Sequence, residues 1–374
     1  MKKNKHLVSV VFITDTGYLM PTWVAARSLV ESKDVDTELV IYIIGDQLNQ
    51  EDKEKLHLII HGIEGVSIII IDVDSSKDLE GKVDKDVLKC WSPATLYKFL
   101  LCEVLPRYLN KVIYLDGDMI IRKDLSVLYE TELEGSILGA VRDTFYDNIA
   151  HEKRMDLPGQ YFNTGCLLLD LDKMRDEHIS EKLLETKTNR PSLGLADQDT
   201  YNEVCRGRVK ILSCRYNFYI TSFLMNENIN GFRKYTVCPY NTRSQMISDI
   251  AIIHMIHYRP WKLGLDKRIL EKIILDPVPN IEESSIVYIL KRWLQLYKIS
   301  PFAVEDWRNI TDERADISLS PYGLKTYERK MSLKFEVYQE CRNGKIFVIF
   351  SIAGIRFITK ITDPEIGKVG YRIL

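Results

Sequence analysis

The amino-acid sequence predicts an α/β fold with a mostly parallel β-sheet, followed by a smaller C-terminal α+β appendage. The first observation behind this prediction is the alternation of short apolar runs with segments of helical spacing, in the order β-α-β-α-β-α-β. The second is that the runs are nearly continuous, which is typical of parallel strands covered by helices on both faces. After about Arg259 the alternation stops. We therefore predict a domain boundary near residue 265, between regions 1–265 and 266–374.

Each predicted strand is an apolar run rich in β-branched residues, and helical segments separate the runs. Pro21 suits the first turn of the first helix, and Asn49 with acidic residues after it indicates the N-cap of the second. A third helix is predicted at Pro93–Leu105. The strands are predicted at Leu7–Ile13, Leu39–Ile44, Val66–Ile71, Val112–Leu115, Ile137–Val141 and Cys166–Leu171.

The C-terminal region has different signals. Ile286–Tyr297 has helical spacing, and Phe335–Ile361 has the pattern of strands around Asn343-Gly344, a dipeptide typical of β-hairpins. From Ile317 to Leu374 there are ten Lys and Arg residues against five Asp and Glu. Basic side chains with interleaved aromatic rings favour peripheral contact with a membrane. A solvated β appendage or a homo-oligomer interface explains the same composition equally well.

The composition limits the class of protein. A formal net charge of −2 over 374 residues provides no argument for binding nucleic acid. The seven cysteines form no C-x-x-C pair and are odd in number, so a reducing, cytoplasmic compartment fits best. The basic N-terminus has no cleavage site and is interpreted as the first strand. No apolar run approaches the roughly 20 residues of a membrane-spanning helix.

Two aspartates, Asp116 and Asp118, follow the strand at Val112–Leu115 and are separated by Gly117. In an open α/β sheet, ligands bind beyond the carboxyl ends of the strands. Adjacent carboxylates repel each other unless a cation lies between them, and hard oxygen ligands suit Mg²⁺ or Mn²⁺. Gly117 leaves room for the backbone to approach a ligand. The triplet is a candidate metal site, and a solvated turn is the alternative.

A second acid, Asp15, also ends a strand, where it is suited either to bind a ligand or to cap the following helix. Neither glycine-rich phosphate motif, G-x-x-x-x-G-K-[ST] or G-x-G-x-x-G, occurs in the sequence. If a nucleotide binds here, a metal ion must therefore neutralise its phosphates.

Several motifs occur in a fixed order, and together they resemble family 8 of the glycosyltransferases, a retaining group that includes bacterial lipopolysaccharide galactosyl- and glucosyltransferases and glycogenin. The resemblance covers about residues 7–262. It implies a GT-A (Rossmann-like) nucleotide-sugar-binding domain that uses Mn²⁺ (or Mg²⁺) and a UDP-sugar donor. The motifs are VVFITDTGY, SPATLYKFLL, KVIYLDGDMII, GAVRD, YFNTGCLLLDL, ADQD, RYNF and IIHMIHYRPWK.

The resemblance also implies roles for individual residues. It makes Asp116, Asp118 and His254 the metal ligands. On local grounds alone, a histidine at a strand end is more often structural. The remaining matched positions contact the nucleotide-sugar: Asp15 and Tyr18 at uracil and ribose, Asp143, Asn163 and Asp197 at the donor hexose, and Lys98, Arg259 and Lys262 at the phosphates.

Gln198 matches the position beside the anomeric carbon, and Asp197 precedes it as the second candidate catalytic residue. An amide oxygen is a weak nucleophile, and no carboxylate is offered at the matched position. The resemblance therefore implies a front-face mechanism, in which the acceptor hydroxyl attacks from the side that UDP leaves and the leaving phosphate takes the proton. The carbonyl of Gln198 would stabilise the positive charge of the oxocarbenium-like state, and the metal the charge on the diphosphate.

Three departures from the family pattern affect this reading. Thr16 and Gly17 stand where members often have an acid and an Asn, and Lys98 replaces an Arg, which exchanges a bidentate contact for a point charge. The segment His254–Trp261 is one residue short, with His257 at a glycine position. An altered segment over the diphosphate favours the alternative of a nucleotide-sugar-binding scaffold without catalysis.

The sequence thus predicts a retaining, metal-dependent hexosyltransferase. It would move galactose or glucose from a UDP-hexose donor to a saccharide or lipid-linked oligosaccharide acceptor, in bacterial surface polysaccharide or lipooligosaccharide synthesis. Its predicted location is the cytoplasm, including the cytoplasmic face of the inner membrane. Besides the scaffold, another GT-A-fold nucleotidyltransferase is an alternative, although the glycine-rich loop typical of those enzymes is missing.

Overall fold

The structure is a computed structural model that describes most of the N-terminal two-thirds of the chain and parts of the remainder. The described residues are 5–78, 96–143, 155–190, 197–219, 237–256, 261, 286–303, 336–342, 345–352, 355–361 and 369–373.

A seven-stranded sheet forms the centre of the fold, in the order β3-β2-β1-β4-β7-β6-β8. Strand β7 runs antiparallel to both of its neighbours, and the other pairs are parallel, so the sheet is mostly parallel as predicted. At the edge, β3 has a partner strand on one side only, and none of its residues is fully buried. The strands span His6–Asp15 (β1), Thr37–Asp46 (β2), Val66–Val73 (β3), Lys111–Leu115 (β4), Leu138–Arg142 (β6), Phe162–Asp170 (β7) and Val209–Leu212 (β8).

The carboxyl ends of β1 and β4 lie side by side at one edge of this sheet. Val10 pairs with Ile113 and Val11 with Tyr114, in parallel register. Asp15 at the end of β1 and Asp116 just after β4 therefore reach the same region of the molecule. This is the edge at which open α/β sheets bind ligands.

A second sheet of three strands continues from the first. Strand β5 (Met119–Ile121) follows β4 after the two aspartates, and β10 (Ile252–His254) lies between β5 and β9 (Phe218–Tyr219). Because β10 runs antiparallel to β5, His254 is paired with Met119. A residue far along the chain is thus brought next to Asp118.

Helices and 3₁₀ turns cover both faces of the seven-stranded sheet, and two apolar clusters fill the space between. The predicted N-cap at Asn49 is confirmed, as part of a capping box with Asp52. The helices are Leu19–Ser32 (α1), Gln50–His57 (α2), Ser75–Asp78 (α3), Leu101–Val104 (α4), Ser126–Tyr129 (α5), Leu171–Asp176 (α6), Ile179–Asn189 (α7), Gln198–Val204 (α8), Arg243–Asp249 (α9) and Ile286–Lys298 (α10).

The helix predicted at Pro93–Leu105 is interrupted in the structure: residues 96–97 and Leu101–Val104 (α4) are helical, 98–100 form a turn, and 93–95 lie outside the described residues. The backbone before it turns more tightly, with i→i+3 hydrogen bonds from Phe99 to Leu96 and from Leu100 to Tyr97. Within this turn Lys98 is buried and directs its ammonium group to two carboxylates. A charged side chain with partners inside the protein therefore marks the place where the helical pattern is interrupted.

Helix α10 packs against the first part of the chain. Arg292 donates a hydrogen bond to Glu31 of α1 at 2.6 Å. The ring of Trp293 is stacked between Trp261 and Tyr297, with centroids 5.6 and 5.4 Å away. The chain divides into two compact units, Met1–Asp266 with Leu270–Glu305, and Lys267–Ile269 with Asp306–Leu374. The first unit includes α10, which the boundary predicted near residue 265 would place in the C-terminal region.

The second unit contains a four-stranded antiparallel sheet in the order β11-β12-β13-β14. Arg342 pairs with Lys345, so β11 and β12 flank the predicted hairpin residues Asn343-Gly344, which lie outside the described residues. None of the described helices is long and apolar enough to span a membrane. The strands are Glu336–Arg342 (β11), Lys345–Ile352 (β12), Ile355–Ile361 (β13) and Val369–Ile373 (β14).

Candidate active site

The three residues predicted as metal ligands lie together at the edge where β1 and β4 end. Nε2 of His254 is 3.2 Å from Oδ1 of Asp118 and 3.9 Å from Oδ2 of Asp116. One ligand atom from each residue can be chosen so that all three lie within 4.8 Å of one another. His254 and Asp118 are both buried, at 3% exposure each, while Asp116 is half-buried. Residues from two distant segments thus present their donor atoms to one point.

This donor set fits a divalent cation. Two carboxylates and one imidazole are compatible with Mn²⁺, and with Mg²⁺ when other oxygens complete the coordination. Burial disfavours a charged imidazole, but the carboxylates of Asp118 and Asp116 outweigh burial and raise the pKa of His254. The site therefore attracts positive charge, either as a proton or as a metal ion.

Lys98 forms hydrogen bonds with two acids of the site, Asp116 and Asp197. Its ammonium group donates to Oδ2 of Asp197 at 2.5 Å, to Oδ1 of Asp116 at 3.2 Å and to the carbonyl of Thr164 at 3.3 Å. A lysine has three donors, and all of them have protein acceptors here. Asp116 also accepts from the hydroxyl of Tyr114 at 2.6 Å. The geometry supports a role for Lys98 in neutralising the acids, and its contact with phosphate stays a prediction.

The charges of Lys98, Asp116 and Asp197 stabilise one another. Burial disfavours the ammonium form, but Asp116 and Asp197 outweigh burial and raise the pKa of Lys98. Burial would likewise raise the pKa of Asp197, but Lys98 and the hydroxyl of Thr164 lower it. Both groups are therefore charged at neutral pH, and neither can be removed without leaving an unpaired charge inside the protein.

We expect Lys98→Met to destabilise the protein strongly. The substitution keeps the approximate side-chain length but removes the buried ammonium group that neutralises the half-buried acids Asp116 and Asp197, and breaking a buried ion pair costs about 3–5 kcal/mol. Urea unfolding followed by circular dichroism measures the change. Lys53→Met is the matched control, because Lys53 pairs with Asp72 at 2.8 Å on the surface and such pairs contribute about 1 kcal/mol or less. Equal losses in the two variants would contradict the role given to Lys98.

Two of the residues predicted to hold the donor hexose, Asp143 and Asn163, both contact Gln198, which is predicted to lie beside the anomeric carbon. Gln198, at the start of α8, donates through Nε2 to Oδ2 of Asp143 and accepts through Oε1 from Nδ2 of Asn163, both at 2.7 Å. All three side chains are buried. Asn163 lies within β7. The arrangement holds the amide plane of Gln198 in one orientation.

Asp15 and Tyr18 form a turn beside the aspartate pair. Oδ1 of Asp15 accepts from the backbone N–H of Tyr18 at 2.8 Å, so Asp15 caps the 3₁₀ turn Thr16–Tyr18. A Cβ atom on Gly117 would lie 2.4 Å from Oγ1 of Thr22 and 3.2 Å from the Tyr18 ring. Gly117 is therefore required for the close approach of the aspartate loop to the beginning of α1.

Two predicted phosphate contacts, Arg259 and Lys262, lie outside the described residues, as does His257. Trp261 between them is described, and its ring meets that of Tyr18 edge-on, with centroids 5.9 Å apart.

Two residues to which the sequence analysis gave no role also lie at the site. Asn217 belongs to the RYNF motif, and Gly165 follows Asn163 in the YFNTG motif, so both motifs pointed to them without indicating their contacts.

Comparison with known proteins identifies relatives of this chain. The sequence profile of glycosyl transferase family 8 matches residues 9–263. A protein of Haemophilus influenzae, provisionally named a glycosyltransferase, is 28% identical over 218 residues, which is 56% of this chain and 63% of that protein. The lipopolysaccharide 1,2-glucosyltransferase of Escherichia coli K12 is 26% identical over 274 residues, which is 69% of this chain and 74% of that protein. The alignment thus spans less than two-thirds of the Haemophilus protein.

Solved structures show the same fold. The galactosyltransferase LgtC, in complex with donor and acceptor sugar analogues, superposes with a TM-score of 0.62 at 23% identity, covering 81% of this chain and 99% of LgtC. The glycosyltransferase GlyE of Streptococcus pneumoniae superposes with a TM-score of 0.52 at 20% identity, covering 83% of this chain and 64% of GlyE. The predicted fold class, a GT-A domain with a mostly parallel sheet, is confirmed.

Proposed function

The chain belongs to glycosyl transferase family 8, and on this premise we propose that it is a retaining glycosyltransferase that moves galactose or glucose from a UDP-sugar to a saccharide hydroxyl. One observation carries the proposal. Asp116, Asp118 and His254 converge at the sheet edge, beside the buried group formed by Gln198, Asp143 and Asn163. A cation-binding set next to a group of sugar-binding amides and acids is the arrangement that transfer from a nucleotide-sugar needs.

Asp116, Asp118 and His254 would hold Mn²⁺ or Mg²⁺. When bound, the cation supplies electrostatic stabilisation of the negative charge that develops on the leaving diphosphate. The other residues then act around the donor. Asp15 and Tyr18 would contact the nucleoside, since Asp15 caps the turn that holds Tyr18 and the Tyr18 ring lies next to Gly117.

Gln198 would face the anomeric carbon with its carbonyl. Nε2 donates to Asp143 and Oε1 accepts from Asn163, so Oε1 keeps a second lone pair that can approach developing positive charge. Asp197 is held by Lys98 and Thr164. Neither residue is placed as a ready nucleophile, which supports attack by the acceptor hydroxyl on the face that UDP leaves.

The acceptor class is proposed from the relatives. The Escherichia coli protein is named a lipopolysaccharide glucosyltransferase, which supports a growing surface polysaccharide or lipooligosaccharide as the acceptor. A cytoplasmic location at the inner membrane, with peripheral contact through the basic tail, follows from such an acceptor. Oligomer formation through the same tail is the competing proposal.

A donor screen tests the proposed function. UDP-glucose, UDP-galactose and other UDP-sugars are incubated with the full chain, Mn²⁺ and a panel of oligosaccharide acceptors, and UDP release is measured with and without chelator. We expect release with one hexose donor, abolished by chelation, and a product whose anomeric configuration matches the donor by NMR. Tight UDP binding by calorimetry with no turnover of any donor would instead favour the nucleotide-sugar-binding scaffold.

A further inference from the structure

A continuous chain of hydrogen bonds links the predicted metal ligand His254 to Gln198. Oδ1 of Asn217 lies 2.9 Å from Nδ1 of His254, and Nδ2 of Asn217 donates to Oδ1 of Asn163 at 2.7 Å. From Asn163 the chain continues to Gln198 and on to Asp143. Every member is at most 7% exposed. If one member of such a buried network loses its partner, water cannot replace the lost hydrogen bond.

The direction of every hydrogen bond in this chain follows from one backbone group. The N–H of Gly165 donates to Oδ1 of Asn163 at 2.8 Å, and a backbone N–H can only donate. The atom facing it must therefore be the oxygen of the Asn163 amide. The NH₂ group of Asn163 then faces Gln198, which must present its oxygen. This in turn leaves the NH₂ group of Gln198 for Asp143, an acceptor when ionised.

The hydrogen bonds of Asn217 require a proton on Nδ1 of His254. Because Oδ1 of Asn163 is an acceptor, Asn217 must present its NH₂ group there and its oxygen to His254. An amide oxygen cannot donate, so Nδ1 of His254 must carry the proton. Nε2, the nitrogen that faces the carboxylates of Asp116 and Asp118, is then the one that would offer its lone pair to a cation. Hydrogen bonds of this kind orient metal-binding histidines in other proteins.

We propose that Asn217 is a positioning residue with two separate tasks. Its oxygen holds His254 with Nε2 toward the cation site, and its NH₂ group holds Asn163, and through it Gln198, in the orientation for the donor hexose. The inference rests on the proposed function, because it assigns the cation and the hexose to this site. It adds that the cation-binding half and the hexose-binding half of the site share one residue, Asn217 of the RYNF motif.

Two substitutions separate the tasks. Asn217→Leu keeps the approximate volume and removes both the acceptor and the donor. Asn217→Asp keeps an acceptor for Nδ1–H of His254 and removes the donor to Asn163. We expect Mn²⁺ affinity, measured by calorimetry, to fall about 10–100-fold in the Leu variant and to be retained in the Asp variant. We expect UDP release from the UDP-hexose to fall at least about tenfold in both variants.

If Asn217 had a purely structural role, the two variants would give a different result. The buried carboxylate of Asn217→Asp would then lower Mn²⁺ affinity at least as much as the side chain of Asn217→Leu does. Equal loss of Mn²⁺ affinity in the two variants, or no loss in the Leu variant, would overturn the inference. Asn241, which is exposed, is the matched control. Asn241→Leu and Asn241→Asp are expected to bind Mn²⁺ as the wild type does.

Nitrogen NMR of the wild type keeps the test valid if either variant fails to fold. With Mg²⁺ as a diamagnetic probe, the ¹⁵N shifts of His254 are expected to report a protonated Nδ1 and an unprotonated Nε2. The reverse pattern would overturn the inference even in an active enzyme. If the wild type binds neither Mn²⁺ nor Mg²⁺, the proposed metal site is wrong and the inference is wrong with it. If the wild type binds Mn²⁺ and Asn217→Leu binds it equally well, only the inference is wrong.

Discussion

Asp118→Asn is expected to reduce metal-dependent UDP release by on the order of 10²–10³-fold, the loss typical of removing one group that stabilises developing charge. Asp118 is 3% exposed, and its backbone carbonyl accepts from the N–H of Met255 at 2.8 Å, so the side chain is held opposite His254. Asparagine has nearly the same shape and hydrogen-bonding reach but no charge. The loss therefore reports electrostatics rather than a change of packing.

The measurement has two parts, Mn²⁺ affinity by calorimetry and kcat with saturating UDP-hexose. Asp172→Asn provides the control, because Asp172 is an exposed acid on α6 that pairs with Arg175 at 3.2 Å. This control is expected to retain the wild-type values of both. If Asp118→Asn also retains them, the metal site does not lie at Asp116, Asp118 and His254.

Gly165→Ala is expected to disable the same site by adding a single methyl group. Its Cβ would lie 2.6 Å from Cε1 of His254 and 2.9 Å from both Oδ2 of Asp116 and Oδ1 of Asn163. These neighbours cannot all move, since Asn163 and His254 are held by buried hydrogen bonds. We expect Mn²⁺ affinity to fall about 10–100-fold, the range seen when groups that orient metal ligands are disturbed.

Gly139→Ala on the neighbouring strand β6 distinguishes damage to the site from damage to the core. Its Cβ would meet the side chains of Leu133 and Leu212 at 3.2–3.3 Å, away from the site. Overpacking costs about 1–3 kcal/mol of stability, which urea unfolding measures. We expect this variant to lose stability and keep Mn²⁺ affinity. A Gly165→Ala protein that binds Mn²⁺ normally would show that the methyl group is accommodated.

The central sheet and the acids at its edge were predictable because their signals are local. Each strand is a short apolar run, and Asp116 and Asp118 directly follow one of them. The antiparallel direction of β7 was not predictable from the same signals, because an apolar run has no direction. The pairing of Lys98 with Asp116 and Asp197 was not predicted either, since these acids lie in segments distant in sequence.

His254 could be assigned only through the resemblance to family 8. Its place depends on the pairing of β10 with β5, two short strands whose sequences contain no sign of their partner. Asn217 and Gly165 belong to motifs that were recognised, yet their roles depend on which hydrogen-bond donor faces which acceptor. That information exists only once the strands are assembled.

The placement of β10 between β5 and β9 has a consequence for the order of events on the ribosome. All strands of the seven-stranded sheet end by Leu212, so the nascent chain can complete that sheet before Ile252–His254 are synthesised. Until then the two acids face an open flank with no imidazole. Vectorial synthesis thus adds the imidazole to the two acids only after every strand of the seven-stranded sheet has been made.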